Sequence, residues 1–250
     1  MVFEPDAKLK KKMDKDGSVL KYMYGVGGAG KGLIAGGGMF AAIGVLLVFA
    51  LKSIDMHMAL ITGAGCVVLG LLMVVGGMAL QNRKMNRWLH TYCKTTGLSE
   101  EEIHNADAEF KQPGTVLFAL EKGNDNNSLK KMGFITPHYI KFPGITPSLA
   151  RLEDVVACFY TKKFLCKDGG YDKVLTAYSR GKKMTFMFTN PNEKAAQEIV
   201  DTIAKYNPMI IHHHHFQYGD RAYDAARDMD EVIRLHDQIR AERASAGTGR

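Results

Sequence analysis

The sequence predicts an α+β membrane protein, built from a two-helix transmembrane hairpin, a β-rich cytoplasmic domain and a C-terminal helix. Three observations predict this class. Two neighbouring apolar stretches, residues 33–51 and 58–80, contain no charged residue. About seven short segments rich in β-branched and aromatic residues follow, separated by Gly, Asn, Asp and Pro. The chain then ends in patterns with the period of amphipathic helices.

The two apolar stretches predict membrane spans. Residues 33–51 extend about 28 Å as an α-helix at about 1.5 Å per residue, close to the ~30 Å hydrocarbon core of a bilayer. Residues 58–80 are long enough to cross with some tilt. The alternative is two buried helices of a soluble protein, but such helices rarely run this long without a charge.

The glycine-rich stretch before the first span is similar to a nucleotide-binding loop. Residues 25–32 read GVGGAGKG, which fits G-x-G-x-x-G and nearly fits the phosphate loop. Gly32 stands where that loop needs Ser or Thr to hold Mg²⁺, and a membrane span follows. A strand over residues 19–24 could precede the loop, but we expect a flexible approach to the span and no nucleotide site.

The distribution of positive charge predicts the topology. The net charge is +7, and lysines and arginines flank the spans, whereas the connecting residues 52–57 (KSIDMH) contain one Lys and one Asp. By the positive-inside rule both termini are cytoplasmic, so residues 1–32 form a basic cytoplasmic segment of a multi-pass cell-membrane protein. The flanking residues are Lys8, Lys10, Lys11, Lys12, Lys15, Lys21, Lys31, Arg83, Lys84, Arg87 and Lys94.

Small residues in the hairpin (residues 33–80) indicate close helix packing. Gly38 with Ala42, and Ala59 with Gly63, have the small-x-x-x-small spacing that lets helix backbones approach. We expect these faces to pack on each other or on a partner. Neither span contains Asp, Glu, Lys or Arg, so a transporter or channel made from one copy is disfavoured.

Residues 81–110 predict juxtamembrane helices. Residues 81–96 continue the second span and stop at Gly97. Ser99 and Glu102 then form a capping box that begins a helix through about Phe110.

A β-rich domain is predicted over residues 111–208. A hairpin turn over residues 179–182 joins its last two strands. A helix with Pro191 at its first position then runs to about Tyr206, with Ala196, Ile199, Val200 and Ile203 on one face. The seven predicted strands are residues 115–121, 132–136, 138–142, 154–161, 163–167, 173–179 and 184–189.

The remaining residues 209–250 predict a linker, an amphipathic helix over residues 220–243 and a disordered tail. Residues 212–215 (HHHH) are expected to be a solvated segment, because metal sites usually gather ligands from separated positions. No metal and no cofactor is predicted. No H-E-x-x-H or G-x-S-x-G pattern occurs, so no catalytic residue is predicted and the protein is not expected to be an enzyme.

Seven strands closed by one helix, over roughly residues 110–208, resemble the pleckstrin-homology-like barrel of small bacterial membrane proteins. The layout is also similar to that of uncharacterised two-span membrane proteins of Gram-positive bacteria. This resemblance is architectural and implies no functional residue. A generic α+β sheet domain is the alternative.

Basic pairs in predicted turns are the candidate site residues. In the pleckstrin-homology-like barrel that the domain resembles, loops at the open end bind anionic headgroups, and basic residues near an anionic leaflet gain ~1 kcal/mol each. The competing interpretation is that lysines simply decorate exposed turns. The pairs are Lys130 and Lys131, Lys162 and Lys163, and Lys182 and Lys183.

The predicted function is a membrane-anchored, non-catalytic interaction or regulatory module. An anionic-lipid headgroup sensor and an accessory subunit of a transport complex are the alternatives. The expected partners are the lipid bilayer and a protein, or a second copy, held through the small-residue faces and the C-terminal helix. No nucleic acid is expected.

Overall fold

The structure, a computed structural model, describes residues 1–15, 17–24, 29–51, 56–120, 126–144, 147–166, 168–180 and 182–247. The chain divides into two compact units, one formed by Met1–Tyr24 with Leu89–Arg250 and the other by Gly25–Trp88. The predicted mixed α+β class with two long apolar helices is confirmed. Residues 25–28 of the glycine-rich stretch and residues 52–55 between the spans lie outside the described residues.

The helices and strands are numbered in chain order. The helices are α1 (Ala7–Met13), α2 (Val19–Tyr24), α3 (Ala29–Leu51), α4 (Met56–Asn86), α5 (Trp88–Thr96), α6 (Glu100–Lys111), α7 (Asn126–Lys131), α8 (Glu193–Tyr206) and α9 (Met229–Gly247). The strands are β1 (Val2–Phe3), β2 (Val116–Phe118), β3 (Gly133–Ile135), β4 (Tyr139–Lys141), β5 (Leu149–Arg151), β6 (Val155–Leu165), β7 (Tyr171–Ser179), β8 (Lys182–Thr189), β9 (His215–Tyr218) and β10 (Arg221–Asp224).

Helices α3 and α4 pack through glycines spaced seven residues apart. A Cβ on Gly37 would lie 2.5 Å from the carbonyl oxygen of Gly70, and one on Gly44 would lie 2.7 Å from that of Gly63. Only hydrogen fits between backbones this close. Of the two predicted small-residue pairs, Ala59 and Gly63 are buried, whereas Gly38 and Ala42 are exposed.

The large apolar side chains of α3 and α4 remain exposed. Phe49 is 73% exposed and Ile61 is 71% exposed, so neither helix resembles the buried core helix of a soluble protein. An apolar surface of this extent is unfavourable in water and favourable in hydrocarbon. The two helices are long and apolar enough to cross a membrane, over Lys31–Ala50 and Met56–Arg83.

The N-terminal residues fold into the same unit as the C-terminal part of the chain, although residues 1–32 were predicted as a separate basic segment. Strand β1 pairs antiparallel with β2, so that Val2 lies opposite Phe118. The possible strand over residues 19–24 is instead helix α2. Its start is capped by the Ser18 hydroxyl, which accepts the Lys21 N–H at 3.0 Å.

Two antiparallel sheets enclose the main core of this unit. One sheet has the order β1-β2-β3-β4-β5 and the other has the order β6-β7-β8. Strands β1 and β5 and helices α1, α2 and α7 were not predicted. The buried apolar side chains that join both sheets to α8 include Phe118, Ile140, Leu175, Ile199 and Ile203.

Strand β6 is buried on both faces in its first half. Cys158 packs in the core beneath α8, whereas Ala157 and Phe159 pack beneath β9, β10 and α9. Burial on both faces explains the uninterrupted apolar run VVACFY. The separate strands predicted over residues 154–161 and 163–167 are one strand, because an irregularity between Thr161 and Phe164 absorbs the polar residues without ending the pairing.

Capping residues define the helices that flank the sheets. Both hydrogen bonds of the Ser99 and Glu102 capping box are present, which confirms the predicted start of α6. Helix α5 ends at Thr96 before Gly97, whose φ of 78° is readily adopted by glycine. Pro191 lies outside α8, because Asn192 caps that helix by accepting the Ala195 N–H at 3.1 Å.

The helix predicted over residues 220–243 begins later than expected. A turn at Gly219, with φ of 60°, joins β9 to β10, and Tyr218 lies opposite Arg221 across it. Phe216 and Tyr223 stack across this hairpin at 5.3 Å. Helix α9 starts only at Met229 and packs against β6, with Met229 and Val232 buried in that contact.

The glycine seam of α3 and α4 makes a testable prediction. Gly70→Val places a branched side chain 2.5 Å from the Gly37 oxygen and should separate the two helices, at a cost of about 1–3 kcal/mol. Gly65→Val adds the same side chain where no atom lies within 4 Å. Thermal unfolding of the full chain in detergent should show a lower Tm for Gly70→Val alone. Equal Tm values for both variants would contradict the observed seam.

Candidate functional site

The candidate lysine pairs do not gather at one end of the sheet β6-β7-β8. Lys182 begins β8 and lies opposite Ser179, which itself lies opposite Val155 at the start of β6. Lys162 and Lys163 follow about seven residues further along β6, or roughly 20 Å at ~3.3 Å per residue. Lys183 follows Lys182 in the same strand. The register therefore separates two of the pairs into opposite ends.

Contacts inside the folded unit engage several of these lysines. The Lys162 ammonium lies 2.6 Å from a carboxylate oxygen of Glu193, whose hydrogen bond raises the pKa of Lys162. The Lys130 ammonium lies 4.9 Å from the ring centroid of Tyr22. Lys131, at the end of α7, accepts the Gly144 N–H through its carbonyl oxygen. Lys163 is exposed, and the side chains of Lys182 and Lys183 lie outside the described part of the chain.

A seventh lysine, which the sequence analysis did not single out, is buried. Lys141 lies in β4 and is 1% exposed. Its ammonium donates to the carbonyl oxygens of Phe142 at 2.8 Å, Gly144 at 3.1 Å and Met132 at 3.4 Å. Lys141 thus links the start of β3 to the turn that follows β4. Ile140 and Phe142 face the core, so strand alternation points the intervening Lys141 to the opposite face of the sheet. That face would ordinarily be exposed to solvent, but the lysine is buried there.

Two features of its surroundings affect the protonation of Lys141 in opposite directions. Burial lowers its pKa to about 7, because removing an ammonium group from water is costly. The three carbonyl oxygens favour the ammonium form, since each accepts one of its protons. A lysine held in this way fastens the turn between β4 and β5 to the rest of the sheet.

A second cluster lies at the base of the hairpin β9–β10, where its two strands begin and end. Asp224 ends β10 directly opposite His215, the first residue of β9. The Nε2 atom of His214 lies 3.2 Å from Oδ1 of Asp224, and Nδ1 of His215 lies 3.8 Å from Oδ2. Within the described ranges, each of these three residues offers one donor atom, and the three donor atoms all lie within 4.8 Å of one another.

The protein framework holds the two inner members of this cluster firmly. The side chain of His214 is 10% exposed, and its ring stacks on Phe159 at 5.0 Å. Burial lowers the pKa of His214, although Asp224 opposes this effect. Burial raises the pKa of Asp224, but backbone N–H donors from Arg227 and Ala226 bring it below its ordinary value. The expected solvated segment at residues 212–215 is therefore wrong for His214, because Phe159 covers its ring.

Two groups of side chains in the unit that contains the sheets are therefore candidate functional features. One is the carbonyl cage around Lys141, and the other is the cluster of His214, His215 and Asp224. Comparison with known proteins adds no relative, since no family model, no curated protein and no solved structure matches this chain.

The buried amine predicts a pH dependence of stability. Between about pH 7 and its ordinary pKa of 10.5, Lys141 binds a proton in the unfolded chain and not in the folded chain. Stability should therefore rise with pH across this window, by at most ~1.4 kcal/mol per pH unit. Thermal unfolding of the full chain in detergent at pH 7 and pH 9.5, compared with Lys141→Met, isolates this contribution.

The Lys141→Met chain lacks the titrating group, so its Tm should rise less between the two pH values than that of the parent chain. Parallel curves for parent and variant would mean that the folded protein retains the lysine proton and that the carbonyl oxygens dominate. Other titrating groups are common to both chains and cancel in the comparison.

Proposed function

We propose that this protein is a membrane-anchored interaction or regulatory module, in which α3 and α4 cross the bilayer as a hairpin and present one folded unit at the cytoplasmic face. The main support for the proposal is that this unit is formed by two separate parts of the chain. It contains Met1–Tyr24, which precede the hairpin, and Leu89–Arg250, which follow it.

The order of these two parts along the chain predicts how many times the chain crosses the membrane. A chain that enters the membrane from a folded unit and returns to the same unit must cross an even number of times. Two helices, long and apolar enough to cross, lie between the two parts of the chain. The antiparallel pairing of β1 with β2 joins the parts directly, with Val2 opposite Phe118. Both ends of the hairpin then lie on one side of the membrane.

The distribution of basic residues supports the cytoplasm as the side on which both ends of the hairpin lie. Seven lysines precede the first span and four Lys or Arg residues lie within residues 81–96 after the second, whereas the connection over residues 52–57 contains one Lys and one Asp. The positive-inside rule places the basic flanks in the cytoplasm.

We further propose that residues 111–208 adopt a pleckstrin-homology-like arrangement. The support is the order of elements: a four-stranded antiparallel run β2-β3-β4-β5, a three-stranded run β6-β7-β8, and then α8 packed on the core that the two sheets share. Strand β1 is an addition at the edge of the first run.

The separation of the lysine pairs bears on the choice among functions. A headgroup sensor needs cations converging on one pocket, but Lys162 and Lys163 lie at the opposite end of their sheet from Lys182 and Lys183. A module that presents its unit to a protein partner has no such requirement. The interaction role is therefore our conclusion, and we assign the protein no reaction.

Cysteine labelling tests the topology. Single reporter cysteines in the full chain should be placed at Lys8→Cys in α1, at Asp201→Cys in α8 and at Ser53→Cys between the spans. Lys8 and Asp201 are both exposed. A membrane-impermeant maleimide should label the Lys8→Cys and Asp201→Cys chains in inside-out vesicles, and the Ser53→Cys chain in intact spheroplasts.

Labelling is read as the increase over the parent chain, which carries four cysteines of its own. Modification of Lys8→Cys and Asp201→Cys from opposite sides would refute the single-unit topology. Extraction of the parent chain by alkaline carbonate would refute the membrane crossing itself.

A further inference from the structure

We propose that His214, His215 and Asp224 form a binding site for a divalent transition-metal ion, with Zn²⁺ as the first candidate. The site lies where the hairpin β9–β10 meets β6, and it is independent of the membrane topology. The proposal stands on three features: the donor atoms and their spacing, the contacts that hold them, and the access that remains open to solvent.

The donor atoms have spacings close to those of a metal site. Zinc is bound by imidazole nitrogen and carboxylate oxygen at ~2.0–2.2 Å, so two ligand atoms of a tetrahedral site lie roughly 3.3–3.5 Å apart. The Nε2 atom of His214 lies 3.2 Å from Oδ1 of Asp224, and Nδ1 of His215 lies 3.8 Å from Oδ2, so the two histidines face different oxygens of one carboxylate. One donor atom from each of the three residues lies within 4.8 Å of the others, and rotation of the exposed His215 side chain is the movement that would bring the three onto one ion.

Two residues of β6 orient the ring of His214. Its Nδ1 lies 3.1 Å from the hydroxyl oxygen of Thr161 in β6, which leaves Nε2 directed at Asp224. Phe159 stacks on the same ring with an interplanar angle of 12°. Metal-ligating histidines commonly use their second nitrogen in this way, and such contacts set both ring orientation and metal affinity.

The carboxylate of Asp224 is also fixed. Its Oδ1 accepts the N–H groups of Ala226 at 2.9 Å and Arg227 at 3.0 Å. The N–H of Asp224 donates to Oδ2 of Asp228 at 3.0 Å, which closes the turn from the other side. Oδ2 of Asp224 is directed toward His215 and is the carboxylate oxygen available to a cation.

The cluster opens onto solvent through a shallow groove of about 530 Å³, lined in part by His215, Asp224 and Asp228. Two imidazoles and one carboxylate make a three-ligand set that leaves a coordination position for water. Imidazole donors suit Zn²⁺, Cu²⁺, Fe²⁺ and Ni²⁺, whereas a site for Mg²⁺ or Ca²⁺ is built from oxygen. The donor set therefore favours a transition metal.

Two arrangements without a specific metal site compete with this proposal. In one, Nε2–H of His214 donates to Asp224 and the Thr161 hydroxyl donates to Nδ1, so the network needs no ion. In the other, the four consecutive histidines of residues 212–215 bind metal loosely and Asp224 is irrelevant. His212 and His213 are exposed, so their substitution disturbs no core.

The test is a Zn²⁺ titration of the full chain in detergent, purified through a tag without histidine and stripped with a chelator. Competition with a zinc-binding dye gives the affinity. Asp224→Asn is the main variant, since the asparagine side-chain oxygen still accepts the Ala226 and Arg227 N–H groups. We expect one Zn²⁺ per chain, and an affinity at least ~10-fold weaker in Asp224→Asn.

Matched controls separate the site from the histidine run. Asp220→Asn makes the same chemical change at an exposed residue of the turn between β9 and β10 and should leave the affinity unchanged. The double variant His212→Asn with His213→Asn should bind Zn²⁺ within about twofold of the parent chain. His215→Asn, at a side chain that is 69% exposed, should weaken binding as Asp224→Asn does.

Three outcomes would overturn the proposal. The parent chain could bind no Zn²⁺, which would favour the hydrogen-bonded arrangement. The His212 and His213 double variant could lose binding while Asp224→Asn retains it, which would assign the metal to the histidine run. Asp220→Asn and Asp224→Asn could also weaken binding equally, which would indicate an unspecific effect of charge. Circular dichroism of each metal-free variant checks that the fold is intact, and His215→Asn still tests the site if Asp224→Asn does not fold.

Discussion

The pairing of β1 with β2 is the constraint on which the rest of the structure depends. It joins the first three residues of the chain to residues 116–118, across the whole length of the apolar hairpin. Buried apolar contacts extend this connection. Met13, Val19, Leu20 and Met23 from the N-terminal helices are all at most 1% exposed. The complete unit therefore needs residues from before and after the two apolar helices.

Buried polar groups hold this assembly in register, each through backbone atoms far away in sequence. The carboxylate of Asp107 in α6 accepts the Leu20 N–H of α2 at 3.0 Å. The Asn207 amide donates to the carbonyl oxygens of Leu152 and Val155, which fastens the end of α8 to the start of β6. Buried polar groups are costly without partners, so these contacts discriminate against other arrangements of the same elements.

Strand β6 is the element that connects the parts of the unit. Its side chains enter the core under α8 from one face and the core under α9 from the other. The segment between α8 and β9 also lies along it, because Ile211 and Cys158 share a backbone hydrogen bond of 2.9 Å. Thr161 in the same strand reaches His214. The hairpin β9–β10 therefore contacts the main sheet through β6. The candidate lysines of that sheet lie at both of its ends.

The sequence alone determined the features that depend on neighbours along the chain. Uncharged length predicted the two apolar helices, Ser99 with Glu102 predicted the start of α6, and β-branched alternation located six of the strands. Each of these signals is local, because hydrogen bonds and burial in a helix or strand follow from residues only a few positions apart. The apolar face of α8 was predictable for the same reason.

Tertiary structure decided what depends on distant residues. Strand β1 has two residues and is defined only by its partner β2. Lys141 is buried where its ammonium donates to the carbonyl oxygen of Met132, before β3, as well as to the nearby carbonyl oxygens of Phe142 and Gly144. Asp224 and His214 are ten positions apart, and the turn at Gly219 brings them together. A solvated histidine run and a last helix from residue 220 were reasonable local expectations. The first was wrong for His214, because its ring stacks on Phe159 from a strand 55 positions away. The second began too early, because residues 221–224 pair with β9 and Tyr223 stacks on Phe216.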